Sequence, residues 1–372
     1  MKKMRTVTLI TCLLLFSSVG KAETYLTMAE MCEQAPARWT QTYETTWRTV
    51  NIDVQPLVPQ VKKVPILKVV PEFGQPDVSV LGAGWTSKAR RMGVFNAYLN
   101  YADLEENDKV STTTTTSIYP PFDMNTAYAK GNELILAKVL DQLQLIMNTL
   151  GYDRGQWQYD RPNKVMVNTI ASNTTGILRP GNYTVSLNQK LYGLPIFCHA
   201  LSGVEQPKDS EQVITTGLTF RIRTLHAIAL SGKQVKVTDV LAEDVPLCSF
   251  STVKAAIEEE IQAGHIRKIF DVELGYALYN EPGTFRTPGN PEFSTAVFYA
   301  VPVWRVTCHY IENAKKELRD YTGMDVSERN VIEYKTLIVN AQTGVVMDRT
   351  DNHKGCADYA GFLSWEEVRG KQ

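Results

Sequence analysis

Asp348, Asp351, His353, Cys356 and Asp358 fall within one short stretch near the C-terminus. Carboxylates, an imidazole and a thiol so close together could hold a divalent cation. A calcium loop needs a glycine and a closing bidentate glutamate at fixed positions, and both are missing, so a solvated loop is the expected reading. The remaining histidines are His199, His226, His265 and His309. Cys198-His199 and Cys308-His309 are neighbours on predicted strands, where successive side chains point to opposite faces. Neither pair can work as thiolate and base; one member of each is expected to be packed and the other wet. Glu258, Glu259 and Glu260 fan around a predicted helix and do not converge as an acid–base dyad. The chain has no HExxH, no GxSxG and no P-loop lysine. Gly82-Ala-Gly84 lacks the third glycine of a dinucleotide loop and reads as a turn. The sequence therefore assigns no catalytic, cofactor-binding or metal-ligating residue, and no cofactor.

The elements that would position these groups are legible in several places. Phe298 to His309 and Tyr334 to Asp348 are rich in β-branched and aromatic residues and predict strands. Ala341-Gln-Thr-Gly344 suits a tight hairpin turn, with Gly344 free to take φ > 0. Val253, Ala256, Ile257, Glu260 and Ile261 make one helical stripe, and Gly264 ends it. A longer helix carries Leu136, Val139, Leu140, Leu143, Met147 and Leu150, with Gly151 after it. Near the N-terminus Met28, Met31, Cys32 and Ala35 share a helical face before Pro36, and Trp39, Tyr43 and Trp47 continue at i, i+4, i+8 as a core stripe. Val50 to Val54 alternates. The proline-punctuated run Val61 to Val70 reads as an edge strand at best. Further strands are expected at 164–170, 183–189, 192–200, 218–225 and 265–279, and Ser231-Gly232 reads as a break in a hairpin. Each half then has a helix followed by strands, which suggests a divergent duplication. The fold class is α+β, with two helix-plus-antiparallel-sheet domains at 23–205 and 206–372. Gln206 to Glu211 is the expected linker.

The first 22 residues have a basic start (Lys2, Lys3, Arg5), a 14-residue apolar stretch from Thr6 to Val19, and small residues at −3 and −1 of a cleavage site after Ala22. That predicts a signal peptide, with a retained N-terminal anchor as the runner-up. Of 39 basic residues four lie in this leader, leaving 35 against 40 acidic ones, a formal −5. That charge argues against a nucleic-acid partner. No later stretch is apolar enough for a transmembrane segment. Cys308 and Cys356 flank the C-terminal sheet and are the preferred disulfide pair, with buried thiols as the alternative.

Pro302-Val-Trp-Arg-Val306 followed by Val339-Asn-Ala-Gln-Thr-Gly-Val345 resembles the strand and hairpin of PepSY-type and YycI-like extracytoplasmic domains of Gram-positive bacteria. The chain as a whole resembles uncharacterised exported proteins of clostridial gut bacteria. The resemblance implies a non-enzymatic module outside the membrane that binds a protein partner, a peptide or the envelope, or restrains a peptidase or sensor kinase. The alternative is a secreted hydrolase with a dispersed active site, using His309 or His353 with neighbouring acids.

Overall fold

The computed structural model describes residues 25–72, 76–82, 85–89, 95–99, 116–118, 133–161, 165–171, 178–197, 217–223, 226–280, 297–310, 334–349 and 361–369. The leader 1–22, the linker 206–211 and the boundary at 205/206 lie outside them. The chain begins with β1 (Tyr25–Leu26), α1 (Met28–Gln34) and a hairpin of β2 (Trp39–Glu44) and β3 (Thr49–Val54). β4 (Ile66–Glu72), β5 (Trp85–Ala89), β6 (Phe95–Leu99) and β7 (Thr116–Ile118) precede α2 (Glu133–Thr149). Then come β8 (Trp157–Tyr159), β9 (Val165–Ala171), β10 (Leu178–Leu191), β11 (Leu194–Pro195), β12 (Gly217–Arg223), β13 (His226–Ala242) and β14 (Leu247–Cys248). After α3 (Phe250–Gln262) follow β15 (Ile266–Asn280), β16 (Phe298–Tyr310), β17 (Tyr334–Asn340), β18 (Val346–Arg349) and a short helix, Trp365–Arg369.

Among the described residues fourteen strands form one sheet, whose main path runs β18-β17-β16-β4-β13-β12-β10-β9-β7. The ladders between named strands are antiparallel, and two isolated bridges are parallel. Mixed helix and antiparallel sheet is therefore the architecture, with strands predominant. Among the described residues no helix is long and apolar enough to cross a membrane.

Each long helix covers one part of the sheet. Val139, Leu143, Ile146 and Met147 of α2 recur at helical spacing and pack against Trp157, Val185, Leu187, Leu218 and Phe220. Ser249 caps α3 by accepting from the Thr252 N–H, and Val253, Ile257 and Ile261 face β15, β16 and β17. Trp304 sits under this helix, fully buried, with the Phe250 ring edge-on at 5.2 Å. Burying a side chain of that kind contributes about 1.5–3 kcal/mol, so Trp304 is a principal anchor of the helix. The β2–β3 hairpin closes over the same core: Trp39 meets Phe250, and Trp47 lies against Gly264, where an added Cβ would come within 2.4 Å of its ring.

Three expectations are corrected here. Trp39 and Tyr43 lie on a strand, not a helix; a spacing of four keeps one face in either, and the intervening threonines favour the extended chain. The run expected at an edge supplies β4, an interior strand between β13 and β16. Pro71 is tolerated there because the N–H and C=O of its partner Val235 turn away to the side-chain amide of Gln189, at 2.9 and 2.8 Å. Ser231 and Gly232 lie inside β13, which runs straight through the expected break. Pro302 in turn sits where β16 changes neighbour, from β4 at residues 298–300 to β17 from residue 303. Its carbonyl accepts from the Ala341 N–H at 3.1 Å, and the Ala341 carbonyl, which a proline cannot serve, accepts from the Cys248 N–H at 2.8 Å.

Candidate functional site

The predicted site residues are scattered or lie beyond the described chain. Cys308 is fully buried on the face of β16 that meets α3, whereas His309 is half-buried on the opposite face, as strand alternation requires. Cys356 is outside the described residues, and so are His353, Asp351 and Asp358; Asp348 lies on β18. Among the described residues no group of three or more His, Cys, Asp or Glu is placed to hold a metal ion.

The densest chemistry is a cluster the sequence reading missed. Arg305, on the β16 face away from α3, is 2% exposed. Its Nη1 donates to Asp160 at 2.5 Å and its Nη2 to Glu273 at 2.8 Å, with Asp271 Oδ2 at 3.9 Å. The guanidinium lies 4.2 Å from the centre of the Phe197 ring. Arg161 reaches Asp271 at 3.1 Å, Gln158 donates to Glu273 at 2.7 Å, and Asn188 donates to Asp160 at 3.1 Å. Burial pushes the Asp271 and Glu273 carboxyls up, against the pull of Arg305 and Arg161. Burial also opposes the charge on Arg305, but Asp160, Glu273 and Asp271 outweigh it and hold the proton firmly. Three carboxylates against two guanidinia make a buried junction between β8, β10 and the β15–β16 hairpin. A visible signal was present: Asp271 and Glu273 alternate with Val272 and Leu274, and Arg305 interrupts an apolar strand.

At the far end of α3, His265 Nδ1 lies 2.8 Å from Glu260 Oε2, which also accepts from the Tyr310 hydroxyl at 3.0 Å. This is a base with an orienting carboxylate, one part of an acid–base apparatus. Glu258 points elsewhere and accepts from the Tyr43 hydroxyl.

An accessible site lies beside the other end of α3. A cleft of about 430 Å³ opens between the end of α1, β2 and the first turns of α3. Arg38, Trp39 and Thr40 form one side, and Ser249, Phe250 and Lys254 the other. Trp39 and Phe250 are buried and make the floor. Arg38 pairs with Asp53 through two hydrogen bonds of 2.5 and 2.6 Å, which hold that carboxyl below its usual range. Lys254 stands 5.7 Å from the centre of the Trp39 ring and 3.6 Å from Glu258. Asp53 and Glu258 stand outside the lining, whose charged members are Arg38 and Lys254.

The strand that walls this cleft has an open edge. The Thr45 N–H donates to the Arg48 carbonyl at 3.0 Å, so this pair is hydrogen-bonded. By alternation so are Tyr43/Val50, Gln41/Ile52 and Trp39/Val54. The N–H and C=O groups of Thr40, Thr42 and Glu44 therefore point away from β3, and all three residues are exposed. Among the described residues β3 is the one strand paired with β2. The outer edge of β15 is treated differently. Leu57 bonds Val272 and Leu274 there, each at 2.9 Å, and the Phe197 N–H bonds the Tyr276 carbonyl at 2.8 Å.

No protein family matches the chain, and no curated protein does. Its fold is similar to that of a solved structure, an uncharacterized protein from Eubacterium rectale, with a TM-score of 0.51 at 9% identity. The match covers 86% of this chain and 98% of that one. At that identity the likeness shows the fold alone.

Proposed function

We propose that the chain is an exported, non-enzymatic binding protein of the bacterial cell envelope, and that it takes its partner at the β2 edge and the adjoining cleft. The observation that carries this reading is an accessible strand edge that runs into a cleft bearing two cations and several hydroxyls. By contrast, the Arg305 cluster is enclosed, with its charged ends turned on one another. Such interior pairing favours a scaffold, and an open edge favours recognition. The export signal expected before Glu23 supports recognition outside the membrane.

The test is photo-crosslinking in intact cells from the full chain, with the probe at Thr42 or Gln41. One specific envelope protein or peptide, crosslinked at these positions and not from a probe at exposed Lys236, supports the reading. A protein that crosslinks to nothing and turns over a substrate overturns it. The Glu260–His265 pair is the observation that favours the hydrolase alternative. That alternative requires turnover which disappears in His265→Ala while the melting temperature holds.

A further inference from the structure

We infer that the ligand of this site is an extended peptide, which adds to β2 as an antiparallel strand and brings its C-terminal carboxylate into the cleft beside Arg38 and Lys254. This rests on the binding reading above and deepens it. Thr40, Thr42 and Glu44 offer three outward N–H donors and three carbonyl acceptors at alternate positions, the pattern a further strand needs. The cleft lies at the Trp39 end of β2, and its lining takes residues from β2, α3 and the end of α1 but none from β3. It is therefore on the side of β2 where an added strand would run.

Direction follows from charge. β2 runs from Trp39 to Glu44, so an antiparallel peptide ends at the Trp39 side, in the cleft. A parallel peptide would instead present its N-terminal ammonium to Arg38 and Lys254. Asp53 takes Arg38 Nε and Nη2 and Glu258 stands beside Lys254, but Arg38 Nη1 and the other Lys254 N–H groups remain as donors to a carboxylate. The lining has no carboxylate to receive an ammonium, which selects the first arrangement. The Thr40 hydroxyl is given to Asp53 at 3.3 Å, whereas Ser249 and Ser251 share one hydrogen bond of 2.6 Å and can turn a hydroxyl to the same carboxylate. Side-chain preference in the peptide should be modest, because the recognition is carried by backbone and terminus.

The experiment is a selection from random hexapeptides with free C-termini against the full chain, followed by binding measurements on the enriched peptides. Amidating the C-terminus, or the substitution Lys254→Glu, is expected to weaken binding about tenfold or more, the loss of a charge-assisted hydrogen bond. Thr42→Pro should abolish binding, since it removes an outward N–H while sparing the β2–β3 ladder. Should Thr42→Pro not fold, amide hydrogen exchange on the unaltered protein decides, with protection expected at Thr40, Thr42 and Glu44 when peptide is added. An empty selection, enriched peptides indifferent to amidation, or unprotected amides at those positions would overturn the inference. So would a dimer that Thr42→Pro dissolves, which gives the edge to a second copy. Peptide binding without an envelope crosslink would remove the envelope role alone. A crosslinked envelope partner that leaves the three amides unprotected would remove the strand-addition inference alone.

Discussion

Replacing Arg305 by methionine leaves Asp160, Asp271 and Glu273 buried around an apolar stem, with Arg161 the one cation beside them among the described residues. Breaking a buried ion network from one side costs about 3–5 kcal/mol, a large share of the stability of an ordinary domain. Denaturant titration of Arg305→Met should show that loss. Arg305→Lys should not restore it, because the native fork serves Asp160 through Nη1 and Glu273 through Nη2 at once. The same residues give a pH prediction. Asp271 and Glu273 have carboxyls raised by burial, so the folded state binds more protons than the unfolded state from about pH 4 upward. Stability should therefore fall as pH rises through that window, and recover on mild acidification. Asp271→Asn keeps the acceptor toward Arg161, leaves two carboxylates against two guanidinia, and should flatten the slope while raising the denaturation midpoint near pH 8. At this scale the sequence was half legible. The strand around Arg305 could be read, but its partners lie 145 and 32 residues away, and no local period reveals such a pairing.

The turn between β17 and β18 joins three elements in five residues. Asn340 Oδ1 accepts from the N–H groups of Gln342 and Thr343, and the Gly344 N–H closes back on the Asn340 carbonyl at 2.8 Å. Gln342 is buried and clasps the C-terminal segment, donating to the Leu363 carbonyl at 2.8 Å and accepting from its N–H at 3.2 Å. Gly344 has φ +70°, and an added Cβ would come within 2.6 Å of Thr252 Cγ2 on α3. Gly344→Ala thus meets both a backbone and a steric penalty, together about 1–3 kcal/mol. Thermal melts of Gly344→Ala, Thr252→Ala and the double variant should separate them. The double variant should regain the steric part and no more. Elements whose signals are local were readable: this turn, the stripe of α3 and the alternation of β3. β2 and β4 were not. Trp39 and Tyr43 suit two periods equally, and the place of β4 depends on whether distant β13 and β16 leave room for a proline.

Across the whole molecule, sequence order and spatial order diverge. β4, from the first fifth of the chain, pairs with both β13 and β16, and the core around α3 combines Met28, Met31, Ile52 and Leu67 with Val253, Trp304 and Val339. The repeated helix-then-strands pattern was legible because each helix organises its neighbourhood locally. The threading of residues 25–72 into the second neighbourhood was not, since pairing at such separation is set by sheet closure. The consequence is testable. Residues 206–372 alone lack β4 and the β2–β3 hairpin that covers α3, leaving Val253, Ile257 and Trp304 with part of their packing missing. That fragment should show exposed apolar surface and no sharp melting transition. Adding residues 23–72 in trans should restore near-ultraviolet dichroism from Trp304 and Phe250, at a midpoint that rises with peptide concentration. A fragment 206–372 that melts cooperatively by itself would show that the C-terminal sheet stands without β4. In the intact chain the Arg305 junction ties Asp160, carried from the α2 side, to β15 and β16. Because the junction and β4 both bridge these parts, one unfolding transition is expected for the whole protein, and Arg305→Met should lower its midpoint without splitting it in two.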